Sequence, residues 1–176
     1  MSEQKDKWQG RLALSTAIMA VLAALTTLYM GKFSSRAIMG QGQESDQWAF
    51  YQAKSIKGGI YEINKKTLEL QFLTQKGLTS EEETEYQKTV NKYGDEIKRY
   101  DVEKKEIKEK AESIANGKVK AQEMSGNFAY ALIFLQIALM LASISSLTKR
   151  RYLWYIALIC NVGWLFFFLD AWLLFY

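Results

Sequence analysis

The sequence contains no histidine and no proline, and its 176 residues include a single cysteine, Cys160. Without histidine, the chain lacks the commonest general base and metal ligand, and every catalytic triad built on imidazole. One cysteine cannot form an intrachain disulfide or supply a zinc site of the usual kind. Because proline is the residue that most often kinks a helix, its absence permits long unbroken helices. We therefore predict a protein that is not an enzyme and holds no cofactor or metal.

Charge is segregated along the chain. Apolar residues concentrate at the two ends, while Lys and Glu alternate through the middle, and the whole chain has a net charge of +4. A nucleic-acid-binding surface needs clustered basic residues with interleaved aromatic side chains, which this pattern lacks. We predict no nucleic-acid partner.

Three apolar runs have the length of transmembrane helices, and we predict that all three cross a bilayer at residues 12–31, 126–148 and 152–176. The first run could instead be a signal peptide, but it is longer than a typical signal core. The third could be a hairpin within the bilayer, although its length favours a crossing. Trp and Tyr near the ends of the third run suit the headgroup level.

Basic residues predict the orientation. With three spans, the N-terminal tail and the turn at 149–151 lie on the same side, and both are basic. The positive-inside rule places that side in the cytoplasm, so the middle of the chain and the C-terminus face outward, away from the cytoplasm. The competing basic residues, at the other ends of the first two spans, are Lys32, Arg36, Lys118 and Lys120.

Two heptad patterns between the spans predict an extramembrane, antiparallel coiled-coil hairpin. In both patterns, apolar residues alternate at spacings of four and three. The first stripe is Ala49, Ala53, Ile56, Ile60, Ile63, Thr67 and Leu70. The second is Tyr86, Val90, Tyr93, Ile97, Tyr100, Ile107, Ala111 and Ile114, interrupted at Lys104. Gly77 is the expected C-cap of the first helix, and Ser80 is the expected N-cap of the second.

The predicted fold is all-α, an integral membrane protein with three spans and this helical hairpin. The predicted order is a tail (1–11), a span (12–31), a connector (32–44), two hairpin helices (45–76 and 80–116), a connector or continuous helix (117–125), and two spans (126–148 and 152–176).

The stretch ESDQWAFYQAKSIKGG, residues 44–59, is too polar for a membrane and rich in aromatic residues. Ser45 is a plausible N-cap for the first hairpin helix. Trp48 and Tyr51 then lie in its first turns, where they anchor at the headgroup level, pack against the second helix, or contact a partner.

Three polar residues within the predicted spans are candidates for a structural or functional role. Asp170 is the only ionisable one, and we weigh hydration near the helix end against an ion pair with Lys32 or Arg36. Gln136 and Asn161 lie at similar depth in adjacent antiparallel spans, so we expect a hydrogen bond between them.

Small residues form a stripe along the first span, at Ala13, Ala17, Ala20 and Ala24. Such stripes permit close approach of two helices. We expect this span at the packed centre of a monomer or of an oligomer.

The segments SEQKDKWQGRLALSTAIMAVLAALTT and SSRAIMGQGQESDQWAFYQAKSIK, followed by two C-terminal spans, resemble a bacterial membrane family catalogued as domain of unknown function 4337. The resemblance covers essentially the whole chain and implies a location in the bacterial inner membrane. It implies no activity and no functional residue.

From these patterns we predict a structural or interaction protein, anchored in the lipid bilayer, that forms a homo-oligomer and offers its hairpin to a protein partner. The alternative is a subunit of an oligomeric channel or transporter accessory complex.

Overall fold

A computed structural model of the chain describes residues 2–74 and 79–174, with side chains from residue 8 onward. These residues form three helices: α1 is Ser2–Thr74, α2 is Ser80–Thr148 and α3 is Arg151–Leu173. The all-α prediction is therefore confirmed for the described part of the chain.

Helix α1 is continuous through residues 32–44, where the sequence had suggested a connector. The suggestion rested on Gly40 and Gly42, but a glycine within a helix costs only about 1 kcal/mol. With no proline nearby, nothing blocks the helical hydrogen bonds. Helix α2 likewise runs unbroken through 117–125, which is one of the two predicted alternatives.

The second helix is capped by Thr79 rather than by Ser80. The Glu82 carboxylate accepts hydrogen bonds from the Thr79 backbone N–H and hydroxyl, both at 2.8 Å. The Thr79 hydroxyl oxygen in turn accepts a bond from the Glu82 backbone N–H at 3.4 Å. This is the predicted capping box, shifted by one residue. The predicted C-cap at Gly77 lies outside the described residues.

The chain divides into two units, each with its own internal packing. The first, which we call the span unit, combines Met1–Met39 with Gly117–Tyr176. The second, which we call the arm, is Gly40–Asn116.

Helix α2 supplies the most closely packed face of the span unit. Its fully buried residues recur at spacings of three and four and include four small ones. They are Phe128, Ala131, Leu135, Ala138, Ala142 and Ser145. Larger side chains of α1, such as Leu12 and Met19, pack into the same core.

Each of the three helices is long and apolar enough to cross a membrane. Protein covers only part of the apolar windows: 17% of the window is buried in α1, 33% in α2 and 17% in α3. The remaining apolar surface faces outward from a single copy.

Candidate interaction surfaces

The two helices of the arm pack antiparallel, as the order of their contacts shows. Close to the end of α1 and the start of α2, the rings of Phe72 and Tyr86 stack with their centroids 4.0 Å apart. Earlier on α1 and later on α2, the Lys54 ammonium lies 2.6 Å from a carboxylate oxygen of Glu103. A lower residue number on α1 thus meets a higher one on α2, so these two segments run antiparallel.

Aromatic rings fill the middle of this contact. The Tyr61 ring lies 5.6 Å from the ring of Tyr93 and 5.8 Å from the ring of Tyr100. Gly58 makes room for the approach, because a Cβ at that position would lie 3.4 Å from Tyr100 Cβ. The two helices therefore pack through aromatic rings, and the missing side chain of Gly58 leaves room for Tyr100.

Ionic groups border the rings. The Lys54 ammonium, besides its bond to Glu103, lies 5.5 Å from the centroid of the Tyr100 ring. Its hydrogen bond to Glu103 lowers the pKa of that carboxyl group. The Glu103 carboxylate also lies 3.4 Å from the Arg99 guanidinium on its own helix. One carboxylate thus joins the two helices of the arm.

The stripe predicted on α2 does face α1. Tyr100 and Ile107 are 7% and 6% exposed, and Ala111 is fully buried. Lys104, which interrupts the stripe, is half-buried, and its ammonium lies 2.8 Å from a carboxylate oxygen of Asp101. That hydrogen bond raises the pKa of Lys104.

The stripe predicted on α1 is wrong, because it faces outward. All seven of its members are exposed: Ala49, Ala53, Ile56, Ile60, Ile63, Thr67 and Leu70. We call them the aliphatic stripe. The residues that face α2 instead form a second set at similar spacings, namely Tyr51, Lys54, Gly58, Tyr61, Lys65, Leu68 and Phe72. This second set packs against α2 because its rings and its glycine fit the tyrosines of α2. Its Lys54 also forms an ion pair with Glu103.

Trp48 and Tyr51, predicted as anchors or contacts, are both half-buried within the arm. Their rings meet edge to face with centroids 5.7 Å apart. Tyr51 belongs to the set of residues that face α2, so its side chain contributes to packing within one copy.

In the span unit, Asp170 is buried, with 3% of its surface exposed. Its carboxylate accepts a hydrogen bond of 2.7 Å from the side-chain amide of Asn127 on α2. The predicted ion-pair partners, Lys32 and Arg36, are exposed, and the Lys32 ammonium lies over the Phe33 ring at 5.9 Å. The Asp170 carboxylate is therefore buried and bound to an amide donor, instead of being hydrated as the sequence suggested. Asn127 was not predicted, although it lies in the same predicted span as Gln136.

An aromatic cluster packs at the same end of the span unit. The fully buried Phe128 stacks between Tyr29 at 5.6 Å and Phe33 at 5.7 Å. Phe168 and Trp172 meet Phe128 edge to face. This cluster was not predicted because its members come from three helices and are far apart in the sequence.

Two indole groups bind hydroxyls of α1 across the helix interfaces. Trp154 Nε1–H donates to Ser15 Oγ at 3.1 Å, and Trp164 Nε1–H donates to Thr26 Oγ1 at 3.1 Å. Each hydroxyl also donates to a backbone carbonyl of its own helix. These bonds satisfy polar groups that would be costly in lipid.

Gln136 and Asn161 do not form the predicted pair. Gln136 is exposed, whereas Asn161 is half-buried and its side-chain amide donates to the Ala157 carbonyl at 3.0 Å. Asn161 is thus satisfied within its own helix, which a prediction from depth alone could not foresee.

The alanine stripe of the first span faces away from the other helices. Ala13, Ala17, Ala20 and Ala24 are all exposed. The opposite face of α1, with Leu12, Met19, Thr26 and Phe33, is buried. Within a single copy, α2 rather than α1 therefore holds the packed centre, since its small residues accept these larger side chains.

Residues 8–174 match the model of the family described as Domain of unknown function (DUF4337). No curated protein and no solved structure matches the chain.

Proposed function

The chain belongs to this family, and on the geometry above we propose that it is a membrane-anchored structural or interaction protein. Its three apolar helices hold it in a bilayer, and the arm projects from the lipid. Copies associate with one another through the spans and the arm. A role in presenting the arm to another protein follows from the same arrangement.

The uncovered apolar surface of the span unit carries this proposal. In each apolar window, two thirds or more of the residues are not buried in a single copy. In water such a surface would drive aggregation, whereas lipid or a second copy covers it at no cost. The arm, by contrast, exposes the many Lys and Glu side chains that a solvated segment needs.

The alanine stripe is the part of this surface best suited to another helix. Small side chains allow two backbones to approach closely, and the gain in packing drives association within lipid. Because the stripe lies on the face of α1 that the copy itself leaves open, it remains available for a second copy.

Self-association is tested by native mass spectrometry of the protein released from nanodiscs. We expect oligomers of the full chain, and a shift toward monomer for Ala17→Phe and Ala24→Phe. Leu25→Phe is the matched control, because Leu25 is exposed but lies beside the stripe. A full chain that is a monomer at every lipid concentration contradicts self-association.

The orientation is tested by thiol labelling. In a Cys160→Ser background, a cysteine at exposed Glu81 on the arm is expected to react with an impermeant reagent from outside the cell. A cysteine at exposed Lys149, in the turn between α2 and α3, serves as the opposite control. Reversed labelling would place the arm in the cytoplasm of the bacterium.

One observation favours the alternative of a channel or transporter accessory subunit, namely the buried Asp170 carboxylate among apolar helices. In that case Asp170→Asn alters ion flux into proteoliposomes while the oligomer persists. We rank this function second because Asn127 already binds the carboxylate within the packing of one copy.

A further inference from the structure

The aliphatic stripe of α1 is the main exposed apolar feature of the arm. Within the described residues of this unit, the exposed large hydrophobic side chains are Phe50, Ile56, Ile60, Ile63, Leu70, Leu73 and Val102. Only Val102 belongs to α2. Four of the others belong to the stripe, and these four are between 51% and 67% exposed. One face of the arm is thus apolar, while the face that α2 exposes is charged.

The spacing within the stripe specifies the kind of surface that covers it. From Ala49 to Leu70 its members alternate strictly between intervals of four and three residues. Apolar residues that repeat every seven positions stay in contact with another helix when the two helices wind into a left-handed supercoil. A flat or irregular partner, or lipid, would impose no such period.

The positions that flank the stripe suit a parallel copy of the same helix. In parallel pairing, the residues just before Ala53, Ile60 and Thr67 each face the residue five places later in the other chain. The resulting opposed pairs are Gln52 with Lys57, Gly59 with Asn64, and Lys66 with Gln71. No two like charges oppose each other, and two of the pairs join an ammonium to an amide.

We propose that the aliphatic stripe pairs, parallel and in register, with the aliphatic stripe of a second copy. This inference rests on the proposed membrane anchoring and self-association and names the surface that the arm uses. The stripe predicted on α2, which includes Tyr86 and Tyr100, already packs against α1 of the same copy. It is therefore not available to pair with a second copy. Copies inserted with the same orientation also run parallel, as the flanking residues require.

Disulfide cross-linking of the full chain in native membranes tests the pairing. Cysteines replace Ile56 and Ile63, one at a time, in a Cys160→Ser background. Both positions belong to one row of the stripe, where parallel helices bring identical residues close together. Ser55 and Glu62 are the matched controls, because each is exposed and precedes a stripe residue by one position. We expect about tenfold more cross-linked dimer for the stripe cysteines than for the controls, since a disulfide requires Cβ atoms about 4 Å apart.

The pattern of cross-links separates the outcomes. Cross-linking at both Ile56 and Ile63 supports parallel, in-register pairing, because antiparallel helices would bring only one identical pair together. Equal yields at stripe and control positions overturn the inference. If native mass spectrometry still finds oligomers in that case, the proposed self-association stands and uses another surface. If only monomers are found, both proposals fail.

A charge within the stripe provides an independent measurement. Ile60→Lys places an ammonium at the centre of the pairing but leaves the fold of one copy intact, since the side chain is already 51% exposed. We expect at least a fivefold fall in the Ile56→Cys cross-link, with unchanged helicity by circular dichroism. Val102→Lys, on the exposed face of α2, is the control and should leave the cross-link unchanged. A cross-link unaffected by Ile60→Lys overturns the inference.

Discussion

The hydrogen bond between Asn127 and Asp170 should stabilise the span unit measurably. Asn127→Leu removes the amide donor while keeping a side chain of similar size. The bond is short, at 2.7 Å, and its acceptor is 3% exposed, so water cannot replace the donor. We therefore expect the single substitution to lower the free energy of unfolding by about 2 kcal/mol.

A double-mutant cycle isolates the pair from the other contacts of each residue. It combines Asn127→Leu, Asp170→Leu and the double variant. Hydrogen bonds to charged groups contribute about 1.5–3 kcal/mol in water-soluble proteins, whereas those between membrane helices average about 0.6 and reach about 1.7 kcal/mol. Because the acceptor is a carboxylate at close range, we expect a coupling energy near the upper membrane value, about 1.5 kcal/mol.

Equilibrium unfolding in mixed detergent micelles, followed by tryptophan fluorescence, gives the required free energies. Asn161→Leu is the control, because the Asn161 amide donates to a carbonyl of its own helix. This substitution should lower the free energy of unfolding by less than about 0.5 kcal/mol. A coupling energy below about 0.5 kcal/mol would refute the reasoning, since it would mean that the carboxylate gains nothing specific from this amide.

Two further predictions concern other contacts. Gly163→Ala should destabilise the span unit by about 1–3 kcal/mol, because the new Cβ would lie 2.8 Å from Phe134 Cδ1, whereas Gly126→Ala, with no atom within 4 Å, should be neutral or stabilising in the same unfolding assay. The pKa of Glu103 is lowered, mainly by its bond to Lys54, so the stability this carboxylate contributes is complete above the ordinary value of 4.5 and is lost as the pH falls below it. Thermal unfolding as a function of pH should therefore show a smaller loss of stability below pH 4.5 in Glu103→Gln than in the parent chain, and parallel curves would contradict the assignment.

The architecture of the chain followed from its patterns because it depends on composition over long segments. Three apolar runs, the absence of proline and the acidic start of α2 predicted three spans and two hairpin helices, and the described residues form three helices because α1 and α2 each continue from the arm into a span segment. Such signals add up over many residues, so a single ambiguous position changes little. The cap shifted from Ser80 to Thr79 because both residues can cap a helix and an acidic residue follows each at the required spacing.

The partners of individual side chains were harder to predict, because they depend on rotation about each helix axis. Span α2 carries a regular series of small residues, Ala131, Ala138 and Ala142, and this series could have indicated the packed centre. The alanines of α1 offered an equally good stripe. Choosing between them requires knowing which large side chains face which small ones, and that is a property of two helices together.

Two faces of α1 within the arm repeat every seven residues, and the sequence predicted the wrong one to face α2. The aliphatic stripe alternates intervals of four and three residues without interruption, which favours it as a core. The face that packs inside contains glycine and lysine, which do not score as apolar. It prevails because Tyr61 contacts two rings of α2, Gly58 admits Tyr100, and Lys54 reaches Glu103. Specific complementarity between two helices thus outweighed average hydrophobicity.

The aliphatic stripe is exposed to water in a single copy, and its burial against a second copy would contribute free energy to association. Full burial of an isoleucine or leucine contributes about 1.5–3 kcal/mol, so covering the exposed half to two thirds of four such side chains contributes roughly 4–8 kcal/mol per copy at most. Two copies gain roughly 8–16 kcal/mol, which is comparable with the cost of about 4–15 kcal/mol for associating freely in solution. Anchoring in one bilayer reduces that cost, because it confines both partners and fixes their direction. Burial of the stripe can therefore contribute to the pairing of copies that their spans hold in one bilayer.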